Sequence, residues 1–142
     1  MQVSLKELTK RMVSDMGTGY KGGTKYFRSV GQNIMPTSTK YEYNNGYFGK
    51  NSPSTGNKTR NISSDDPVAT ATDFYNRIAN GGKENTYDGG KRKITQMADG
   101  TIITWRVISH SDGTPVVEIN IKGSSHTGGL KKQKIHFDYQ EG

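Results

Sequence analysis

Thr101-Ile102-Ile103-Thr104-Trp105-Arg106-Val107-Ile108-Ser109-His110-Ser111-Asp112-Gly113-Thr114-Pro115-Val116-Val117-Glu118-Ile119-Asn120 holds two apolar, β-rich runs around a short polar turn. A three-residue hairpin loop ending in a left-handed glycine suits Ser111-Asp112-Gly113. With that loop His110 faces Thr114, and the pairing runs outward through Ile108–Val116, Val107–Val117, Arg106–Glu118 and Trp105–Ile119. Apolar residues then meet apolar ones and an arginine meets a glutamate. A slip of one residue sets Val107 against Glu118 and Arg106 against Ile119, mixing the two faces. Ala98-Asp99-Gly100-Thr101 repeats the turn pattern one strand earlier.

Working outward, the pattern predicts a four-strand antiparallel meander over residues 93–97, 101–109, 114–122 and 132–139. Before it, Asp66-Pro67 supplies an N-cap and a proline at the first helical position. Val68, Ala71, Phe74, Tyr75 and Ile78 then form one apolar stripe, and Gly81-Gly82 ends the helix. Ser4-Leu5-Lys6-Glu7 is a capping box ahead of Leu5, Leu8, Met12 and Met16, which predicts a helix over residues 5–16 closed by Gly17. Between the helices, only Asn45-Gly46, flanked by aromatic residues, gives a sharp signal: a type I′ hairpin. The rest of residues 17–64 is polar, glycine-rich and without a sustained period.

The expected fold class is α+β, with N-terminal helices packed on one face of a C-terminal four-strand meander. Trp105, Val107, Val117, Ile119, Ile121, Ile135 and Phe137 are the strand residues expected to meet the helices. Residues 1–64 read as a basic, Gly/Tyr-rich front segment, and residues 65–142 as a helix plus sheet carrying the site, in one compact domain.

Composition narrows the function. The 142 residues carry a net charge of +7, are 30% hydrophobic and include 18 glycines, so the core is modest. The positive charge favours a polyanionic partner, nucleic acid ahead of an anionic membrane surface. The absence of cysteine excludes disulfides and thiolate metal sites. No apolar run approaches the ~20 residues that span a bilayer, and nothing resembles a secretory leader. No stable membrane association is expected. There is no His-x-x-x-His pair and no carboxylate cluster on one strand, so neither a metal nor a cofactor is expected.

Strand alternation sends even-numbered residues of the last strands away from the core: Thr104, Arg106, Ile108, Glu118, Asn120, Lys122, Lys132, Lys134, His136 and Asp138. A carboxylate, an imidazole and several cations on one face are what metal-free RNA cleavage needs. That reaction takes a base for the 2′-hydroxyl proton, an acid for the leaving 5′-oxygen and cations around phosphorus. Glu118, paired with Arg106, is the expected base and His136 the expected acid. Lys122, Lys134 and Arg106 would hold the phosphate. His126, in the polar loop at residues 123–129, competes with His136 for a catalytic role, with Thr127 beside it as a phosphate contact. Thr104, Asn120, Thr127, Lys131 and Lys132 are the candidate substrate contacts. His110, at the turn, is expected to be structural.

The arrangement of Arg106, Glu118 and His136 resembles the barnase, EndoU, colicin and RelE group of small ribonucleases. The segment from Asp66 to Phe137, including Ile94-Thr95-Gln96-Met97-Ala98-Asp99-Gly100-Thr101 and Lys134-Ile135-His136-Phe137, also resembles the C-terminal toxin modules of bacterial polymorphic toxins of the contact-dependent inhibition and LXG types. The first likeness implies helices followed by a meander whose concave face cleaves RNA to a 2′,3′-cyclic phosphate, with transfer RNA among the candidate substrates. An EndoU-like reading instead assigns His126, His136 and Lys122 or Lys134. The second likeness implies a monomer neutralised by an acidic immunity protein. It also implies secretion within a larger effector and delivery to a target-cell cytoplasm. Three alternatives stand beside this reading: a metal-dependent DNase toxin, an NAD-consuming toxin and a non-enzymatic RNA-binding module that tracks single strands.

Overall fold

A computed structural model describes residues 28–52, 56–109 and 113–140. The helix expected over residues 5–16, the Ser4–Glu7 capping box, His110 and the turn residues Ser111 and Asp112 lie outside the described residues.

Local signals formed what they specified. Asn45 and Gly46 both take positive φ, at 52° and 91°, and join β1 (Tyr43–Asn44) to β2 (Tyr47–Phe48) as a type I′ turn requires. The following helix, α2 (Pro67–Ile78), begins where Asp66 Oδ1 accepts the Ala69 N–H at 3.3 Å. It buries Ala71, Phe74, Tyr75 and Ile78, while Val68, at the head of the same stripe, stays 44% exposed. A shorter helix, α1 (Ile34–Ser38), continues directly from a one-turn 3-10 helix (Val30–Asn33).

The remaining strands are β3 (Lys50–Ser52), β4 (Gly56–Ser64), β5 (Lys83–Tyr87), β6 (Arg92–Gln96), β7 (Ile102–Arg106), β8 (Val116–Asn120) and β9 (Gln133–Tyr139). They form one seven-strand sheet in the order β3-β4-β9-β8-β7-β6-β5. Every neighbouring pair is antiparallel except β4 and β9, which run parallel from Thr59–Lys134 to Ser64–Tyr139. This corrects the expected α+β arrangement of helices on a four-strand meander. The described chain is mostly β, a mixed seven-strand sheet with two short helices. The meander exists as β6 to β9, but β5 extends one side and β4 with β3 extends the other.

The added strands escaped notice for a physical reason. β5 is exposed at all five positions, so it carries no apolar alternation. β4 buries Arg60 where a strand would ordinarily bury an aliphatic residue. Its Nε and Nη2 donate to the carbonyls of Phe48 and Gly49 at 3.0 and 2.8 Å, and Tyr47 lies 4.9 Å from the guanidinium.

The hairpin register is corrected as well. Thr104 pairs with Glu118, Trp105 with Val117 and Arg106 with Val116, two residues away from the expected alignment. A shift of two keeps every side chain on its face but changes its partners. In this register Val107 would meet Pro115, which has no N–H to give a ladder. The Val107 N–H instead donates to Lys91 O at 3.1 Å, and the strands part into a wider loop closed by Ser109 N–H to Thr114 O at 2.8 Å. The preceding turn fits its expectation: Gly100 has φ 92°, and Met97 N–H donates to Thr101 O.

Helix α2 covers the odd-numbered face of the meander. Phe74 sits 5.1 Å from Phe48, 5.7 Å from Phe137 and 5.3 Å from Tyr41, ring centre to ring centre. Ile103, Trp105, Val117, Ile119, Ile135 and Phe137 complete the core, with Val107 and Ile121 partly buried against it. Each fully buried side chain of this size contributes about 1.5–3 kcal/mol. With the helix on that side, the opposite face of the sheet remains for other work.

Candidate functional site

On the face away from α2, residues paired across strands fall into transverse rows. One row runs Asn85, Ile94, Thr104, Glu118, Lys134 and Thr59 from β5 to β4. The adjacent row runs Tyr87, Arg92, Arg106, Val116, His136 and Asn61. Over β7, β8, β9 and β4 the first row forms the floor of a groove of about 300 Å³, lined by Lys58, Thr59, Thr104, Glu118, Asn120, Lys132 and Lys134, among others. Three lysines and one glutamate give it a positive charge, with Asn120 and the two threonines adding neutral hydrogen-bonding groups.

Thr104, Glu118, Asn120, Lys132 and Lys134, all expected from sequence, therefore come together. Glu118 and Lys134 are directly opposed across the β8–β9 ladder. Both are half-buried, yet the Glu118 carboxylate forms no ion pair or hydrogen bond among the described residues. Carboxylate and ammonium are thus neighbours in a recess without being spent on each other.

Other expected members stand elsewhere. His136 was expected on an open polar face but is only 6% exposed, and its Nδ1 lies 3.0 Å from Thr114 Oγ1. His136 pairs with Val116 across β8 and β9, and Thr114 stands two residues before that partner. Arg106 faces Val116 rather than Glu118, and it lies outside the groove lining. His126 is exposed with φ 64°, and its carbonyl accepts the Gly31 N–H at 3.1 Å. That bond fastens its loop to the 3-10 helix whose Val30 belongs to the core under α2. Thr127 is 8% exposed and so is poorly placed to meet a phosphate. Lys131 lies along the β1–β2 turn, its N–H donating to Gly46 O at 3.0 Å. Lys122 follows the end of β8 and flanks Gly100 at the β6–β7 turn.

Lys58 and Thr59 are the groove residues from outside the meander, and sequence reasoning missed them. Nothing in the polar run of residues 56–61 signals a strand, and no hairpin turn announces a parallel neighbour. Among the described residues no three His, Asp or Glu side chains converge as a metal site would require. None of the described helices is long and apolar enough to cross a membrane.

A larger recess of about 1150 Å³ opens beside the start of α2, lined by Lys40, Tyr41, Lys50, Asp65, Asp66 and Asp73, among others. Here Asp73 Oδ2 accepts from Tyr41 Oη at 2.5 Å and Arg77 Nε at 2.9 Å, with Lys40 Nζ at 3.1 Å. Burial alone would raise the Asp73 carboxyl, but the bonds from Tyr41, Arg77 and Lys40 outweigh it and bring it to about 2. Burial, reinforced by the Asp73 charge, pushes the Tyr41 hydroxyl well above the usual tyrosine value. This network is closed on itself and joins α2 to the β1–β2 region.

Comparison with protein-family models, curated proteins and solved structures returned no match. The functional reading therefore rests on the chemistry of the groove.

Proposed function

We propose that the chain is a metal-independent ribonuclease whose reaction centre is the groove around Glu118. The observation that carries this reading is the Glu118–Lys134 pair, opposed across one ladder and unspent on each other, with Lys58, Lys132, Thr104 and Asn120 around them. In the proposed reaction the Glu118 carboxylate takes the 2′-hydroxyl proton, and the freed oxygen attacks phosphorus. The phosphorus–5′-oxygen bond then breaks and leaves a 2′,3′-cyclic phosphate. Lys58 and Lys132 offset the charge gathering on the phosphate. In this reading Lys134, opposite Glu118, protonates the departing 5′-oxygen, since His136 is buried against Thr114. His136 then holds the loop before β8 in place.

If the likeness to toxin modules extends to partners, an acidic immunity protein would find its complement in these lysines. A non-enzymatic RNA-binding module is the second reading. It is favoured by one observation, that the imidazole expected to act as acid is withdrawn from the groove.

Incubation with total bacterial RNA in EDTA, followed by end-group analysis, separates the two. Discrete fragments ending in 2′,3′-cyclic phosphate are expected, with Glu118→Gln slower by at least ~100-fold, as loss of a general base requires. Intact RNA that is nonetheless bound would leave only the binding module.

A further inference from the structure

The second row on the open face carries chemistry that the groove does not use. Arg92 and Arg106 are directly opposed across β6 and β7, with Tyr87 the next partner on β5. Like charges facing each other across a ladder destabilise a sheet unless something neutralises them. Arg92 is partly answered, since its Nε donates to Asp88 Oδ2 at 2.9 Å. The Arg106 guanidinium forms no hydrogen bond or ion pair among the described residues. The guanidinium of Arg92 also lies 4.6 Å from the centre of the Tyr87 ring, while Tyr87 remains 40% exposed. One cation thus backs an aromatic ring that still meets solvent, and a second cation stands next to it, two strands from the ring.

We propose that Tyr87, Arg92 and Arg106 form a subsite for single-stranded nucleic acid, with a phosphate held between the two guanidinium groups and a base stacked on Tyr87. This rests on the groove being the place where the strand is cut, and it names how the rest of the strand is held. Planar guanidinium groups suit a phosphate through paired N–H donors. An exposed aromatic ring accepts any base face, which makes such binding tolerant of sequence. Asp88 subtracts one charge from the subsite, but Lys91, exposed in the same turn, restores it. From Thr59 on β4 to Tyr87 on β5 is five strand spacings of about 4.8 Å, or about 24 Å. That is about seven nucleotides at the ~3.4 Å stacked spacing of a duplex strand, and fewer of an extended strand, so an octamer spans groove and subsite while a dinucleotide fills the groove alone.

The test uses the full chain in EDTA with fluorescent octamers of RNA and of DNA, read by anisotropy, and with an RNA dinucleotide read by cleavage. Tyr87→Ala should weaken octamer binding about tenfold, the value of one stacked base, whereas Tyr87→Phe should bind as the wild type does. Arg92→Ala and Arg106→Ala should each lower the slope of log affinity against log salt by about 0.7, as loss of one phosphate contact on a single strand predicts. Dinucleotide cleavage should be unchanged in Tyr87→Ala and Arg92→Ala. Stronger loss with the RNA octamer identifies RNA as the ligand, and equal loss with both octamers identifies a reader of phosphate and base common to the two. Octamer affinities and salt slopes equal to wild type in all three alanine variants would overturn the subsite, as would a wild-type chain that binds neither octamer. Variant-sensitive binding without dinucleotide or RNA cleavage would instead remove the nuclease reading and leave the subsite standing.

Discussion

Gln133→Leu is the substitution that most directly tests how the groove strand β9 is anchored. The Gln133 side chain is 3% exposed and makes three hydrogen bonds, two to the β1–β2 hairpin and one to Lys131. Its Oε1 accepts the Phe48 N–H at 2.8 Å, and its Nε2 donates to Gly46 O at 2.9 Å and to Lys131 O at 2.6 Å. Leucine keeps the approximate volume and makes none of these bonds. Lys131 is exposed, so water can satisfy its carbonyl again. Gly46 O keeps the Lys131 N–H at 3.0 Å, but the Phe48 N–H is buried and is left without a partner. For one orphaned buried group the loss is about 1–3 kcal/mol. That is a large share of the about 5–15 kcal/mol by which domains are ordinarily stable. Urea unfolding followed by the fluorescence of Trp105, the single tryptophan, gives the number. With a slope of about 1–3 kcal/mol per molar, the midpoint should fall by about 1 M. A loss below about 1 kcal/mol at unchanged slope would refute the accounting, because it would mean that the buried Phe48 N–H did not need the amide.

Other outcomes follow from the same structure. The Asp73 carboxyl is lowered from 3.8 to about 2 in the fold, so its stabilising contribution is complete above pH 3.8 and disappears as pH falls through about 2. Thermal melts across that window should show an acid limb that Asp73→Asn flattens. Tyr41 and Tyr75 are both raised above the ordinary value of 10.0 by burial. Their contribution is present below pH 10 and is lost as pH climbs beyond it, and a tyrosinate absorbance titration should show them titrating late together with Tyr43, which burial also raises. Asp99 accepts the Val30 N–H at 2.8 Å and the Thr101 hydroxyl, so Asp99→Ala should cost about 1.5–3 kcal/mol in denaturant unfolding. A Cβ on Gly82 would fall 2.4 Å from Thr95 Cγ2 and 2.6 Å from Met97 Sδ. Gly82→Ala should accordingly lose about 1–3 kcal/mol in the same assay, as overpacking does.

The sequence by itself determined the features whose causes lie within a few residues of one another. Asp66-Pro67 and the stripe through Ile78 set α2, because capping and helical periodicity are local. Asn45-Gly46 and Gly100 set their turns, because only certain residues accept positive φ cheaply. Alternation in residues 93–139 assigned each side chain to its face, and that assignment withstood a register error of two. Tertiary structure decided the rest. Residues 59–64 pair in parallel with residues 134–139, a partnership with no connecting turn to signal it. It was this pairing that brought Lys58 and Thr59 beside Glu118 and completed the groove. Hydrogen bonding also decided which polar groups went inside: Arg60, Gln133 and His136 are buried, with bonds to the Phe48 and Gly49 carbonyls, to the Phe48 and Gly46 backbone and to the Thr114 hydroxyl. Residue type alone reads all three as surface, because the partners that make their burial affordable come from other strands and loops of the folded chain.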